Sequence, residues 1–255
     1  MEQARRRVID ALVAAGCVAP SEESEELLRA AELGVGDLED LLARRVRGEP
    51  LAWIVGSVGF CDLRLRVDPG VYVPRPHTEA LARRAASLLP PDGIGVDLCT
   101  GCGSVAAVMR SFRPDAEVLG TDIDPVAIAC AERNGVTALL GDLDEPLPAT
   151  WEGLVDVLTA VVPYVPTGEL HLLPRDVTAF EPRLALDGGT GGIALLERVA
   201  RLSPRWLRPG GHLLLELGGD QARTMSTTLG DVGLTAIHVH RDDDGRDRMI
   251  EAVRP

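Results

Sequence analysis

The stretch Val96-Asp97-Leu98-Cys99-Thr100-Gly101-Cys102-Gly103 decides the fold. An apolar run from Ile94 to Leu98 ends in a turn of small residues, and Ser104-Val105-Ala106-Ala107-Val108-Met109-Arg110 reads on as a helix. Strand, tight glycine turn and helix bring backbone N–H groups and a helix N-terminus up to a nucleotide-like ligand. A second apolar run, Val118 to Thr121, follows and ends in Asp122. An acid at the tip of a second strand, about 20 residues on, is what holds a ribose diol in such units. Glycines alone also make plain turns. Asp122 at that distance separates the two readings.

Downstream of Ile94, strands and helices alternate. The pattern predicts strands near 94–98, 117–122, 136–140, 154–160, 211–217, 234–240 and 247–253, and helices near 103–112, 125–133, 191–207 and 219–229. Asp124-Pro125 is an N-cap followed by proline at the first helical position. Such alternation implies an α/β fold with a mostly parallel sheet covered on both faces. Asp242-Asp243-Asp244-Gly245 reads as a hairpin turn, so the last strand should run antiparallel. A calcium loop would need its ligand spacing and a closing Glu, both missing here.

Upstream, residues 2–47 read as three short helices. Gly16 stops the first, Ser21 caps the second with Glu22, Glu23, Glu25 and Glu26 near its positive end, and Gly34 closes it. Asp37 caps the third and Gly48-Glu49-Pro50 ends it. From Trp53 to Val73 the period changes. Leu63, Leu65 and Val67 alternate with Arg64, Arg66 and Asp68 as in a half-buried strand, and Asp68-Pro69-Gly70 turns the chain into Val71-Tyr72-Val73. A helix is expected from His77 or Thr78 to Leu89. The expected organisation is a helical N-terminal domain at 1–50, a β-hairpin linker at 51–75 and a Rossmann-like domain at 76–255.

A chain of 255 residues, 45% hydrophobic and 25% charged, can bury a sizeable core. It contains no lysine, and its net charge of −13 repels phosphate backbones, which argues against nucleic-acid binding. Five cysteines are an odd number and do not form a secreted disulfide framework, so reduced thiols and a cytoplasmic setting fit best. Arg5-Arg6-Arg7 ahead of Val8–Ala15 and Gly16-Cys17 mimics a lipoprotein signal, but Asp10 interrupts the apolar core. No apolar run reaches the ~18 residues needed to span a membrane.

Asp142 ends the third strand of the alternating part, in Leu139-Leu140-Gly141-Asp142-Leu143. Ligands of open α/β sheets bind at the carboxyl ends of the strands, so Asp97, Asp122 and Asp142 should converge on one crevice. The turn has no lysine for a phosphate, which excludes a P-loop, and the G-x-G-x-x-G spacing of dinucleotide folds is not met. A nucleoside cofactor without phosphates fits. Cys99-Thr100-Gly101-Cys102 matches C-x-x-C, but no second pair completes a zinc site, since Cys17, Cys61 and Cys130 are scattered. No metal is expected. Small residues filling a tight loop explain the cysteines better than thiol redox chemistry at a helix start.

Three acids at strand tips, D-x-x-T-G-x-G and a terminal antiparallel hairpin resemble a class I S-adenosylmethionine-dependent methyltransferase. More narrowly, Tyr72-Val73-Pro74-Arg75-Pro76-His77-Thr78-Glu79 resembles the P-R-P-[DE]-T-E segment of the HemK family of protein-(glutamine-N5) methyltransferases. Glu181-Pro182-Arg183-Leu184-Ala185-Leu186-Asp187-Gly188-Gly189 resembles that family's E-P-x-x-A-L-x-G-G, and the resemblance covers nearly the whole chain. It implies S-adenosyl-L-methionine as cofactor. The implied cofactor residues are Asp97, Cys99, Thr100, Gly101, Gly103, Asp122, Ile123, Asp142, Leu143 and Val161. Thr100, Gly101 and Gly103 would pass the methionine part, Asp122 would take the ribose hydroxyls, and Asp142-Leu143 the adenine.

The resemblance also implies an acceptor site at Val162, Pro163 and Tyr164, where the family's N-P-P-Y reads Val161-Val162-Pro163-Tyr164. An amide nitrogen is a weak nucleophile because its lone pair is delocalised. The signature's Asn oxygen and the next backbone carbonyl accept the two amide hydrogens and aim the nitrogen at the methyl group. Val161 offers no side-chain acceptor, and a missing acceptor in a closed site costs about 1–3 kcal/mol. Three readings of the acceptor follow: a protein glutamine loop, a small molecule bearing an amine, hydroxyl or carbon nucleophile against an apolar Val161-Val162 wall, or no acceptor at all in a silent, cofactor-binding adaptor. The oligomeric state is not legible. His77, in place of the family's acid, reads as a surface residue at a helix start rather than a base. Cys99 replaces a glycine.

Overall fold

The computed structural model describes residues 2–255, the Arg175 side chain excepted, so residue 1 of the expected helical part lies outside it. Four helices come first: α1 (Glu2–Ala14), α2 (Pro20–Glu32), α3 (Leu38–Val46) and the short α4 (Leu51–Val55). Their apolar faces meet in a small core of Val8, Leu12, Leu27, Leu41, Leu42 and Ile54. Asp37 caps α3, accepting the Glu39 N–H at 2.9 Å. Ser21 does not cap α2. That helix starts one residue earlier, with Pro20 at its first position after Ala19, so the fixed φ of proline sets the start.

The expected hairpin is shifted. Trp53-Ile54-Val55 closes α4, and the paired strands are β1 (Ser57–Phe60) and β2 (Leu63–Arg66). Cys61 and Asp62 turn the chain with φ of 47° and 65°, the two left-handed residues of a tight hairpin loop. Asp68-Pro69-Gly70 does turn, with the Val71 N–H on the Asp68 carbonyl at 3.1 Å, but Val71–Val73 pairs with no strand. Trp53 explains the difference: its indole N–H donates to the Val71 carbonyl at 2.9 Å, tying that segment to α4.

The rest alternates as expected, save for the short α8, which the sequence pattern does not predict: α5 (Thr78–Leu88), β3 (Ile94–Leu98), α6 (Ser104–Phe112), β4 (Glu117–Asp122), α7 (Pro125–Arg133), β5 (Thr137–Leu140), β6 (Val155–Ala160), α8 (Arg175–Phe180), α9 (Ala194–Trp206), β7 (Leu207–Glu216), α10 (Gln221–Asp231), β8 (Thr235–Arg241) and β9 (Asp247–Val253). Seven strands form one sheet in the order β5-β4-β3-β6-β7-β9-β8. β3 to β7 pair in parallel, and β9 runs antiparallel between β7 and β8. β7 starts earlier than its apolar run because Leu207 pairs with Val155 before a register shift at Pro209-Gly210.

Both faces are covered, which is why the strands are apolar at successive positions rather than alternate ones. Leu213 and Leu215 pack with Leu196, Val199 and Trp206, whereas Leu214 between them packs with Leu81, Ala85 and Met109. The strand order reverses between β3 and β6, and the chain leaves the sheet in opposite directions on either side of that seam. A crevice opens there at the carboxyl ends. No helix among the described residues is long and apolar enough to cross a membrane.

A buried ion pair joins the helical part internally. Arg45 on α3 donates from Nε to Glu23 on α2 at 2.6 Å, and its Nη1 lies 3.5 Å from Asp176 on α8. Removing one partner of such a pair strands the other charge. Glu23→Ala is expected to lower unfolding stability by about 3 kcal/mol, and Glu23→Leu/Arg45→Met to recover most of it. Urea denaturation of the two variants checks this.

Candidate functional site

The turn after β3 is held from three sides. The Thr100 N–H donates to the Thr121 carbonyl at 2.9 Å, fastening the turn to β4. The Thr100 hydroxyl donates to Asp97 Oδ2 at 2.6 Å, and the Thr159 hydroxyl on β6 donates to Asp97 Oδ1 at 2.7 Å. Asp97 is 2% exposed, and burial pushes its carboxyl up to about 6 against these hydrogen bonds. Cys99 and Gly101 both have positive φ, 55° and 58°. A non-glycine residue in that region costs about 1 kcal/mol, so Cys99 occupies a position that favours glycine.

Asp122 sits at the end of β4 with each oxygen fixed by backbone: Gly101 N–H donates to Oδ2 at 2.9 Å and Asp124 N–H to Oδ1 at 3.0 Å. Burial raises its pKa while those N–H groups lower it, with a net rise. Asp124 in turn caps α7 through the Val126 N–H at 2.8 Å, ahead of Pro125. Beyond β5, Leu143 takes φ 51° and its carbonyl accepts the Thr121 hydroxyl at 2.7 Å, while Asp142 pairs with Arg198 of α9 at 2.9 Å. Ile123 stays 53% exposed although apolar.

After β6 the segment Val161-Val162-Pro163-Tyr164 leaves the sheet as a strap. Glycines from other segments let it lie close. A Cβ on Gly188 would come within 2.7 Å of the Pro163 carbonyl, one on Gly192 would overlap the Tyr164 carbonyl, and one on Gly218 would come within 2.7 Å of the Tyr164 ring. The buried Gln221 amide locks it, donating to the carbonyls of Tyr164 at 2.9 Å and Gly192 at 3.1 Å and accepting the Gly218 N–H at 2.9 Å. Among the described residues no donor reaches the carbonyls of Val161 or Val162.

Turn, strand tips and strap enclose one cavity of about 660 Å³, in the range of small-molecule sites. Asp97, Cys99, Thr100, Gly101, Asp122, Ile123, Asp142, Leu143 and Val161 to Tyr164 all line it. Gly103 does not. It precedes α6 at φ 82°, where a Cβ would meet Val136 at 2.9 Å and Ala131 at 3.1 Å, so glycine is needed there for packing. Burial pushes the thiols of Cys99 and Cys102 far up, which keeps both protonated and matches the loop-filling reading rather than thiolate chemistry.

The two motifs singled out in the sequence interlock. Arg75 reaches Glu181 at 2.7 Å and lies 4.7 Å over the Tyr72 ring. No protein-family model matches the chain. Curated relatives do: a release factor glutamine methyltransferase of Mycolicibacterium smegmatis is 35% identical over 95% of this chain and 94% of its own, and one of Geobacter sulfurreducens is 36% identical over 82% of this chain and 75% of its own. The chain belongs to the release factor glutamine methyltransferase family. A Pyrococcus furiosus methyltransferase shares the fold, with TM-score 0.55 at 18% identity over 75% of this chain and 89% of its own.

Sequence reasoning about this methyltransferase missed Glu216 and Gln221. Glu216 ends the apolar run Leu213–Leu215, the same acid-at-a-strand-tip signal that marked Asp97 and Asp122. His77 starts α5 as expected, and its half-exposed side chain also contacts Glu216 at 3.2 Å. The two turn glycines should respond differently to alanine. Gly101→Ala is expected to cost about 1 kcal/mol, because its Cβ meets nothing. Gly103→Ala should cost about 3 kcal/mol, since backbone strain and overlap add. Thermal melts of the two variants should rank them in that order.

Proposed function

We propose that the chain transfers the methyl group of S-adenosyl-L-methionine to the side-chain amide nitrogen of a glutamine in a protein loop, with a release factor as substrate. The carrying observation is the strap: among the described residues the Val162 carbonyl has no hydrogen-bond partner, and Val162 lines the same cavity as Asp122. Family membership supports the acceptor class, because the relatives are named for it.

The residues present fit the cofactor. A Cβ at Gly101 would meet only open space, which leaves room for a ligand against the turn. Asp122, braced by two N–H groups, can accept from a ribose diol, and Ile123 and Leu143 offer apolar faces for a planar base. The ionised Asp97 carboxylate suits the cationic end. When bound, the cofactor supplies an electrophilic methyl on a sulfonium, so the protein's task is positioning. The Val162 carbonyl accepts one amide hydrogen, and the Tyr164 ring stacks on the amide plane. Residues 1–50 and the linker 51–75 dock the acceptor, while 76–255 hold the cofactor.

Val161 is the observation behind a second reading, a small-molecule acceptor seated on an apolar wall. One experiment decides between them. A synthetic peptide carrying the glutamine loop of a bacterial release factor, incubated with cofactor and protein, should gain one methyl group by mass spectrometry. Val161→Asn should raise kcat/KM at least about tenfold by restoring the second acceptor. No methylated peptide with either protein refutes the protein-substrate reading, and turnover on a metabolite extract then favours the small molecule.

Cofactor binding has its own tests. Asp122→Ala should weaken S-adenosyl-L-methionine by about 2 kcal/mol, roughly thirtyfold in Kd. Asp97 predicts a pH dependence. Its folded carboxyl titrates at about 6. A cationic ligand prefers the ionised form, so affinity should fall by up to about tenfold per pH unit below about 6. Asp97→Asn should flatten that profile. Calorimetry across pH measures both.

A further inference from the structure

Resting on the amide-methylation reading, we infer that His77 and Glu216, acting through the Tyr164 hydroxyl, form a proton exit from the acceptor side of the cavity. The Tyr164 hydroxyl donates to Glu216 Oε1 at 3.0 Å. His77 Nε2 lies 3.2 Å from the same oxygen and 3.4 Å from the Tyr164 hydroxyl, so the three groups form a closed triangle. The Glu216 side chain is 1% exposed, and its second oxygen, Oε2, is buried with no hydrogen-bond partner among the described residues. A buried carboxylate with half its acceptor capacity unused retains room for a proton or a donor.

The triangle has two outlets. His77 and Tyr164 line the main cavity, and His77 also lines a second cavity of about 300 Å³ on its far side. Across that second cavity stand His240 and Arg241 of β8, Asp242 and Asp243 of the following turn, and Arg248 of β9, which pairs with Asp242 at 2.7 Å. The charged residues two positions either side of His77 are already engaged. Arg75 is held by Glu181, while Glu79, on His77's own helix, pairs with Arg83 at 3.5 Å. His77 is therefore the imidazole that touches both spaces.

The chemistry requires such an outlet. Attack forms the N–CH₃ bond as the C–S bond breaks, the electron pair staying on sulfur. The nitrogen then carries one proton too many. That proton passes to the Tyr164 oxygen while the Tyr164 hydroxyl turns its own proton from Glu216 Oε1 to His77 Nε2, which is bare in the Nδ1–H tautomer; the imidazolium so formed pairs with the Glu216 carboxylate and sheds its proton through the second cavity. No oxidant or further reactant is needed. His77 and Glu216 act through Tyr164 and are positioning residues for this transfer.

The test uses the full chain, S-adenosyl-L-methionine and the release-factor loop peptide. His77→Gln should lower kcat at neutral pH about tenfold or more with the peptide KM unchanged, and remove the acid limb of the kcat–pH profile. Imidazole added to His77→Ala should restore part of kcat, and Tyr164→Phe should abolish the solvent deuterium isotope effect. A change in KM alone, with pH profile and isotope effect intact, overturns the relay. If the wild type leaves the peptide unmethylated, the amide reading fails separately. The relay is then decided by ¹⁵N resonances of His77 with S-adenosylhomocysteine bound. Glu216→Gln and Tyr164→Phe must each move the Nε2 signal, and an unmoved signal overturns the proposal.

Discussion

A carboxylate with almost no water around it organises this molecule. Asp97 ends β3 at the seam where the sheet changes direction, and its two oxygens are taken by hydroxyls from opposite sides, Thr100 in the glycine turn and Thr159 on β6. Those bonds fix the turn against both neighbouring strands. The turn then delivers the Gly101 N–H to Asp122, and Asp122 is aligned with the start of α7 by the Asp124 N–H. Burying a charge that is only partly compensated is expensive, and the elevated pKa of Asp97 is the sign of that expense. The same sign marks the place where a cationic ligand would be welcome.

The opposite wall is built on a different principle. The strap from Val161 to Tyr164 has no sheet partner, so contact distance holds it in place. Gly188, Gly192 and Gly218 come close enough that a methyl group on any of them would overlap it, and the Gln221 amide closes the gap. Side chains on the strap can vary while its backbone path stays fixed. Val161 exemplifies this: its side chain offers no hydrogen-bond acceptor, yet Val162 beside it still lines the cavity.

Most of the α/β part was legible because its signals are local. Apolar runs marked each strand of the large sheet, proline and aspartate marked the start of α7, and acids at strand tips marked the crevice. The small hairpin was not, because Cys61-Asp62 carries none of the Asn-Gly chemistry that announces a two-residue turn, and Asp68-Pro69-Gly70 carries a turn signal without a strand after it. Helix α4 hid in an apolar run too short to show a period. The interlock of Arg75 with Glu181, and the triangle of His77, Tyr164 and Glu216, join residues more than 50 positions apart in sequence. Each member has a plain local role, and only the fold gives them a common one.

The placement of β9 between β7 and β8 imposes an order on assembly. β8 is made first, yet it has no seat on the sheet until β9 has paired with β7. A nascent chain that has emerged as far as the Asp242 turn therefore carries an open β7 edge rich in leucine, with β8 dangling beyond it. Exposed edges of that kind are where growing chains find wrong partners. Vectorial synthesis thus leaves this sheet vulnerable on one side until its inner antiparallel strand arrives.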